Sequence, residues 1–559
     1  MKKFTAVFCG AAMLLCAPAY AQSNKRSPDL QNVTTNTNVL VQFTSVPTST
    51  MLKSVIKNGG TLTTTIAGSR FALFNLPPAS VTALSSNNSV RYATPNRTIK
   101  RKLNFAEPAV NANIALQYGY DGTGVGIAIV DSGIGAHYDF GKPNGGSRVV
   151  YSQNFTDSTT TTDDLYGHGT HVAGVAAGDA YESSGSANFT YSFRGIAPNA
   201  NLINLRVLDQ NGLGTDANVI TAIYQAIALK PQYNIRVMNL SLGRPSVETY
   251  TLDPLCQAVE DAWKAGIVVV VAAGNDGRDN SFSNNGYGTI TSPGVDPLVI
   301  TVGAMKDMGT ASRGDDFIAS YSSKGPTLSD HIAKPDLVAP GNNVIAPLAP
   351  NGQMPSLYPT NVVPVSYYTN SSTGIISKQY FKLSGTSIAA PMVSGAAALL
   401  IQQDATLTPD SVKARLMKTA TKNFPTSSIA CDPTTGVCYT SYYDLFTIGA
   451  GYLDVWAALN NSDTVPAGYS ASSPVVTSDA NGNVSLVSGS SLVWGTSLVW
   501  GTSLVWGTNT VTSTSAVVEP TSVVWGDATT SGYAVIWGNS VVWGTTTPFA
   551  EALAVAGEQ

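Results

Sequence analysis

At 559 residues the chain is too long for one ordinary domain, and three or four segments are expected. A formal net charge of -4 with only 12% charged residues gives no sign of the broad basic surface that neutralises phosphates, so no nucleic-acid partner is expected. A mildly acidic chain rich in glycine, serine and threonine suits a soluble protein outside the cell.

In chain order, Lys2 and Lys3 precede the apolar run FTAVFCGAAMLLC, and AYA ends at Ala21 with small residues at cleavage spacing. Residues 1–21 therefore read as a secretion signal; the run is shorter than the ~20 apolar residues that span a bilayer. Residues 22–105 form the next segment. Within it NVLVQFTS, MLKSVIKNGG, TLTTTI, RFALFNLP, PASVTALSS and VRYATP alternate as β-α-β-β-α-β over roughly 37–99, a small α+β unit. The basic stretch NRTIKRKLN closes it as an exposed linker suited to cleavage.

From about 110 to 460 the runs GVGIAIV, ANLINLRVL, IRVMNLSLG, GIVVVVAAG and PLVITVGA are apolar without strict alternation, as in strands covered on both faces. Helical stretches such as ANVITAIYQAIAL lie between them, which predicts an α/β fold with a mainly parallel sheet and functional groups at the strand ends. Removal of the signal leaves three cysteines. Cys256 falls on the apolar face of a helical pattern and is expected to be a buried thiol. Cys431 and Cys438 flank DPTTGV, and a small disulfide loop is expected between them.

The last segment, 463–559, carries SLVWGTSLVWGTSLVWGT and looser copies, holding six of the chain's eight tryptophans. An even period places Leu492, Trp494, Leu498, Trp500, Leu504 and Trp506 on one face of a strand, and a six-residue solenoid turn would stack them too. The tail is thus a β-prone, low-complexity region; cell-envelope contact and removal during maturation are both open to it.

Three residues carry candidate chemistry. Asp131 ends the strand run GVGIAIVD, His168 opens the helical GHGTHVAG, and Ser387 stands in LSGTSIAAPMVSGAAALL. A serine attacks a carbonyl only when a base takes its proton and a carboxylate orients that base. The order Asp, His, Ser separates the set from chymotrypsin-like and α/β-hydrolase arrangements. These blocks, with FRGIAPNANLINLRVL, VMNLSLG, AAGND, YSSKGP and KPDLVAPG, make the region 106–462 resemble the subtilisin family of serine proteases.

That resemblance implies a three-layer α/β fold and a secreted serine endopeptidase acting on protein or peptide substrates, with no cofactor needed for the chemistry. It implies Asp131 as the orienting carboxylate, His168 as base then acid, Ser387 as the acylated nucleophile and Asn275 as an oxyanion-hole donor. Leu213, Gly214 and Thr215, with Ser241, Leu242 and Gly243, would line the substrate cleft, and Ala272, Ala273 and Gly274 would wall the primary pocket. Residues 22–105 are similar to the propeptides that inhibit such enzymes intramolecularly, with self-cleavage expected between about Arg101 and Ala112. Structural calcium is left open, with Asp179, Asp209, Asp216 and Asn218 as candidate oxygen donors.

Two rival readings stand against this one. His168 and His171 could bind zinc, but their spacing is i and i+3 and no glutamate lies between them, unlike H-E-x-x-H. His171 is instead expected to be a packed histidine. The other rival is a secreted adhesion protein on a degenerate protease scaffold that binds through its tryptophan repeats.

Overall fold

The computed structural model describes residues 33–96 and 106–478 apart from short internal stretches, together with 25–27, 30, 484–486 and 558. The secretion signal, the basic linker and the tryptophan repeats lie outside the described residues. The chain divides into two compact units, residues 1–101 and 102–559.

In the first unit β1 (Thr37–Phe43), α1 (Ser49–Val55), β2 (Thr61–Thr65), β3 (Phe71–Leu76), α2 (Pro78–Ala83) and β4 (Val90–Pro95) follow one another. Their four strands pair antiparallel in the order β2-β3-β1-β4. Burial alternates along β1 and β3, so Val39, Val41, Phe43, Ala72, Phe74 and Leu76 form one buried cluster with Val81 of α2 and Leu84 just after it.

The second unit is organised around an eight-stranded sheet. Strands β5 (Gly126–Asp131), β6 (Val149–Asn154), β7 (Asn201–Arg206), β8 (Ile235–Leu240), β9 (Val268–Ala272), β10 (Ile300–Lys306), β11 (Phe317–Ile318) and β12 (Leu337–Pro340) take the order β11-β10-β9-β8-β5-β7-β6, and β12 pairs with β10. Every pairing is parallel except that of β11 with β10. The apolar strands are buried at every position of β5 and β9, which is why their sequences do not alternate.

Helices cover the sheet: α3 (His168–Ala177), α4 (Asp216–Tyr233), α5 (Pro254–Lys264), α6 (Thr386–Gln403) and α7 (Pro409–Thr419). Helix α6 is buried along nearly its whole length because its alanines, glycine and serine let neighbouring backbone approach. A β-carbon on Gly174 of α3 would sit 2.2 Å from Pro347 Cδ, at the end of β13 (Val344–Pro347), which pairs with β14 (Tyr380–Leu383). Strands β15 (Ser427–Cys431) and β16 (Cys438–Tyr442) form a hairpin closed by a Cys431–Cys438 disulfide, while Cys256 is a buried free thiol.

Charges are also enclosed. The carboxylate of Asp336, just before β12, accepts from Lys334 Nζ at 2.7 Å and has Lys413 Nζ at 3.2 Å, and all three side chains are 0% exposed. Lys413 Nζ donates further to the carbonyls of Pro297, Leu298 and Val299 and to Ser473 Oγ, at 2.8–3.2 Å. Burial alone would raise the Asp336 carboxyl, but the two ammonium groups outweigh it and hold it below the usual carboxylate range. Such a group is stable only because every charge and lone pair finds a partner.

Candidate active site

The carboxyl ends of parallel strands point their last residues into solvent-facing crevices. Asp131 is the last residue of β5, His168 the first of α3, Ser387 the second of α6, and Asn275 lies just past β9. His168 Nδ1 is 2.8 Å from Asp131 Oδ1 and 3.1 Å from Oδ2, and Nε2 is 3.0 Å from Ser387 Oγ. With the proton on Nδ1 the ring donates to the carboxylate and accepts the serine hydroxyl, which satisfies both contacts. Asp131 is fully buried and also accepts from the Ser132 backbone N–H at 2.7 Å, whereas the His168 side chain keeps 14% exposure. The imidazole therefore reaches the cleft and the carboxylate that holds it does not.

A second buried carboxylate fixes the turn that carries this pair. Asp164 accepts from Ser132 Oγ, the Gly167 N–H, and both the N–H and hydroxyl of Thr170, at 2.6–2.8 Å. Ser132 Oγ in turn accepts from the Gly169 N–H at 2.9 Å. Burial pushes the Asp164 carboxyl up while the Thr170 contacts pull it down. The loop after β5 and the start of α3 are thereby held as one piece. Asp164 is absent from the sequence reading because its partners are split between Ser132 and the helix start. Its only local signal is an acidic residue four positions before His168.

Asn275 is oriented by its oxygen, which accepts from the Thr386 N–H at 2.9 Å and hydroxyl at 3.1 Å. This leaves the Nδ2 hydrogens on the Ser387 side. The Ser387 backbone N–H is one of the first in α6 and is not used by the helical ladder. Gly385 preserves the space between these donors: its φ is +146°, and a β-carbon there would come 2.9 Å from Ser387 Oγ and 3.4 Å from Asn275 Nδ2.

The cleft beside Ser387 encloses about 430 Å³. Leu213, Gly214, Thr215, Ser241, Leu242, Gly243, Ala272 and Gly274 all line it. Ala273 does not, which corrects the expectation for that residue. Side chains alternate at the end of β9, so Ala273 faces inward, fully buried against Cys256, Ile290 and Val295, and its backbone bonds to Val302 and Thr291.

The sequence reading also missed Arg244 and Asp276 in the lining. Arg244 is tied to Asp216 at 2.9 Å and Asp253 at 2.8 Å, partners that lie up to 28 positions away. Burial, with Asp279 nearby, pushes the Asp276 carboxyl up to about 6.

His171 is not among the residues that line the cleft. It is fully buried, its Nε2–H is shared by the carbonyls of Val344 and Phe381 at 3.1 Å, and burial drives its pKa down to about 3. The two histidines thus have separate partners and do not converge as metal ligands. The candidate calcium donors are likewise dispersed. Asp179 lies by Arg148 and caps Tyr181, Asp209 caps its own loop at Asn211 and Leu213, Asp216 pairs with Arg244, and Asn218 opens α4. Among the described residues, no cluster of three or more histidine, cysteine, aspartate or glutamate side chains is arranged to hold a metal. No helix among the described residues is long and apolar enough to cross a membrane.

A serine hydroxyl bonded to an imidazole that a buried carboxylate holds is the arrangement of a serine hydrolase. Comparison with known proteins narrows this class. Residues 122–436 match the model of the subtilase family of S8 peptidases. The chain is 40% identical over 366 residues to the serine protease AprX of Bacillus subtilis, covering 63% of this chain and 75% of that one. It is 34% identical over 314 residues to subtilisin DY of Bacillus licheniformis, covering 56% of this chain and 90% of the relative. A cold-adapted subtilisin-like serine proteinase of known crystal structure is 27% identical, with a TM-score of 0.39 over 60% of this chain and 90% of that one.

The chain belongs to the subtilase family. It is a serine endopeptidase with the family's mainly parallel α/β fold, and its substrates are proteins or peptides.

Proposed function

We propose that Asp131, His168 and Ser387 are the catalytic triad and that hydrolysis passes through an acyl-enzyme on Ser387. The observation that carries this reading is the unbroken line of contacts from Asp131 through His168 to Ser387 Oγ, with the Asn275 amide beside it.

His168 Nε2 takes the serine proton as Oγ bonds to the scissile carbonyl carbon. The carbonyl oxygen becomes an oxyanion facing Asn275 Nδ2 and the Ser387 N–H. His168 then gives the proton to the leaving amine as the peptide C–N bond breaks. A water, deprotonated by the same ring, releases the acyl group and restores the serine. Asp131 holds the ring and stabilises its cationic form without taking the proton. The substrate lies extended across Leu213–Thr215 and Ser241–Gly243, where backbone contacts set its register.

The same reading makes the enzyme a secreted, self-processed precursor. Residues 1–21 are its signal, 22–105 its intramolecular inhibitor and folding aid, 106–462 the catalytic domain, and 463–559 a repeat region able to contact the cell envelope. Casein hydrolysis by the parent and Ser387→Ala, with N-terminal sequencing of both, tests it. Expected are a loss of about 10⁶-fold in kcat, the scale known for subtilisin, and an alanine variant that keeps its precursor N-terminus. Retained hydrolysis would overturn the triad.

A further inference from the structure

One buried acidic side chain plays no part in this chemistry. Glu558 is 4% exposed, although every residue that holds it lies more than 200 positions earlier in the chain. Its carboxylate accepts from Arg278 Nη2 at 2.9 Å, the Ser320 N–H at 2.9 Å and the Ser320 hydroxyl at 2.7 Å. Its backbone is gripped too. The Glu558 N–H donates to Asn342 Oδ1 at 2.8 Å, and Asn342 Nδ2 donates to the Glu558 carbonyl at 2.9 Å.

The pocket offers an anion one edge of the Arg278 guanidinium, whose other nitrogen lies 3.5 Å from the buried Asp432 carboxylate. The Arg278 side chain is 6% exposed and stacks over the Tyr439 ring at 4.6 Å, so its charge is fixed in place and largely withdrawn from water. A buried carboxylate is tolerated only when paired and hydrogen-bonded, and this one receives a guanidinium and two further donors. The two halves of the grip discriminate differently. Asn342 reads a peptide group, which any residue offers, whereas Arg278 and Ser320 select an acidic side chain.

The chain leaves the same unit by a second attachment. Before the repeats, Ala333 N donates to the Pro474 carbonyl at 2.9 Å, Val476 N donates to the His331 carbonyl at 2.8 Å, and Val476 is buried. We propose that the Arg278–Ser320–Asn342 pocket is a receptor for the chain's own Glu558, which tethers the tryptophan-repeat stretch to the catalytic unit at both ends. The occupant is an acidic residue in a peptide segment, presented by the same polypeptide. Arg278 lies three residues beyond Asn275, and Asn342 follows Gly341, whose carbonyl accepts the Gly385 N–H at 2.8 Å. The tether is therefore fastened just behind the loops that carry the oxyanion donors.

The test uses the full chain carrying Ser387→Ala, which prevents self-digestion, treated with a carboxypeptidase and followed by intact mass. Trimming is expected to remove Gln559 and stall at Glu558, and Arg278→Gln in the same background is expected to carry it past Glu558 at least tenfold faster. Because Arg278→Gln also alters a buried site, Glu558→Ala is measured beside it by amide exchange. The Ser320 N–H, freed of its acceptor, is expected to exchange at least tenfold faster while the β10 amides stay unchanged. Equal trimming through Glu558 with and without Arg278, or unchanged Ser320 exchange in Glu558→Ala, overturns the proposal.

Discussion

Of the Asn275 amide Thr386 binds only the oxygen, while its hydroxyl also lies 3.1 Å from the Gly274 N–H and carbonyl, so on the proposed mechanism the side chain that selects the amide's orientation is separable from the one that donates to the oxyanion. Asn275→Ala is expected to lower kcat by about 10² to 10³ with KM little changed, the magnitude known for subtilisin. Thr386→Val keeps the N–H contact and loses the hydroxyl, and a smaller fall in kcat is expected; steady-state kinetics on one peptide substrate separates the two. His171 governs a different property. Its pKa of about 3 lies below the ordinary 6.5, so between those values the unfolded chain binds a proton that the folded chain refuses. The stability this gives is complete above pH 6.5 and drains away as the pH falls toward 3. Denaturant unfolding at pH 7 and pH 4.5 is expected to differ by on the order of 2 kcal/mol more in the parent than in His171→Asn. In the cleft, Asp276 ionises near pH 6, so KM for a peptide with a basic side chain near that residue is expected to fall as the pH rises through 6, and to lose this dependence in Asp276→Asn.

Among the elements, α6 shows how a helix is bent to a catalytic purpose. Pro391 lies inside it and has no N–H, so the carbonyl four residues earlier, that of Ser387, lacks its helical donor. Ser241 Oγ supplies the missing bond at 2.6 Å, and is itself held by Asn239, which Ser394 of the same helix also binds. The backbone of Ser387, the proposed nucleophile, is thus fastened to the segment after β8 that lines the cleft. Pro391→Ala would restore a helical donor that competes with Ser241. A loss of about tenfold in kcat, or about 1.4 kcal/mol, is expected with a folded, thermally stable enzyme. Gly174→Ala drives a methyl into Pro347 and is expected to lower stability by about 1–3 kcal/mol, read as a drop in Tm.

At the scale of the whole molecule, what could be read in the sequence depended on whether partners were local. The parallel sheet was legible because unbroken apolar runs mark strands buried on both faces; Asp131, His168 and Ser387 were singled out at the end or start of an element, whereas Asn275 came only from the family resemblance. Asp164, Arg244 and Glu558 were not legible, since their partners are brought together only by folding. Ala273 was misplaced because a motif gives the order of residues and not the face each one presents. In the enclosed group Lys334 and Asp336 share one loop, and only Lys413, from helix α7, is brought to them by folding. Their arrangement has a consequence for assembly. Five oxygen atoms gather around Lys413 Nζ, and the positive charge that lets them approach one another is bound covalently to the chain. Burial pushes the Lys413 ammonium down to about 7, so the charge that holds this corner together is one that a modest rise in pH can remove.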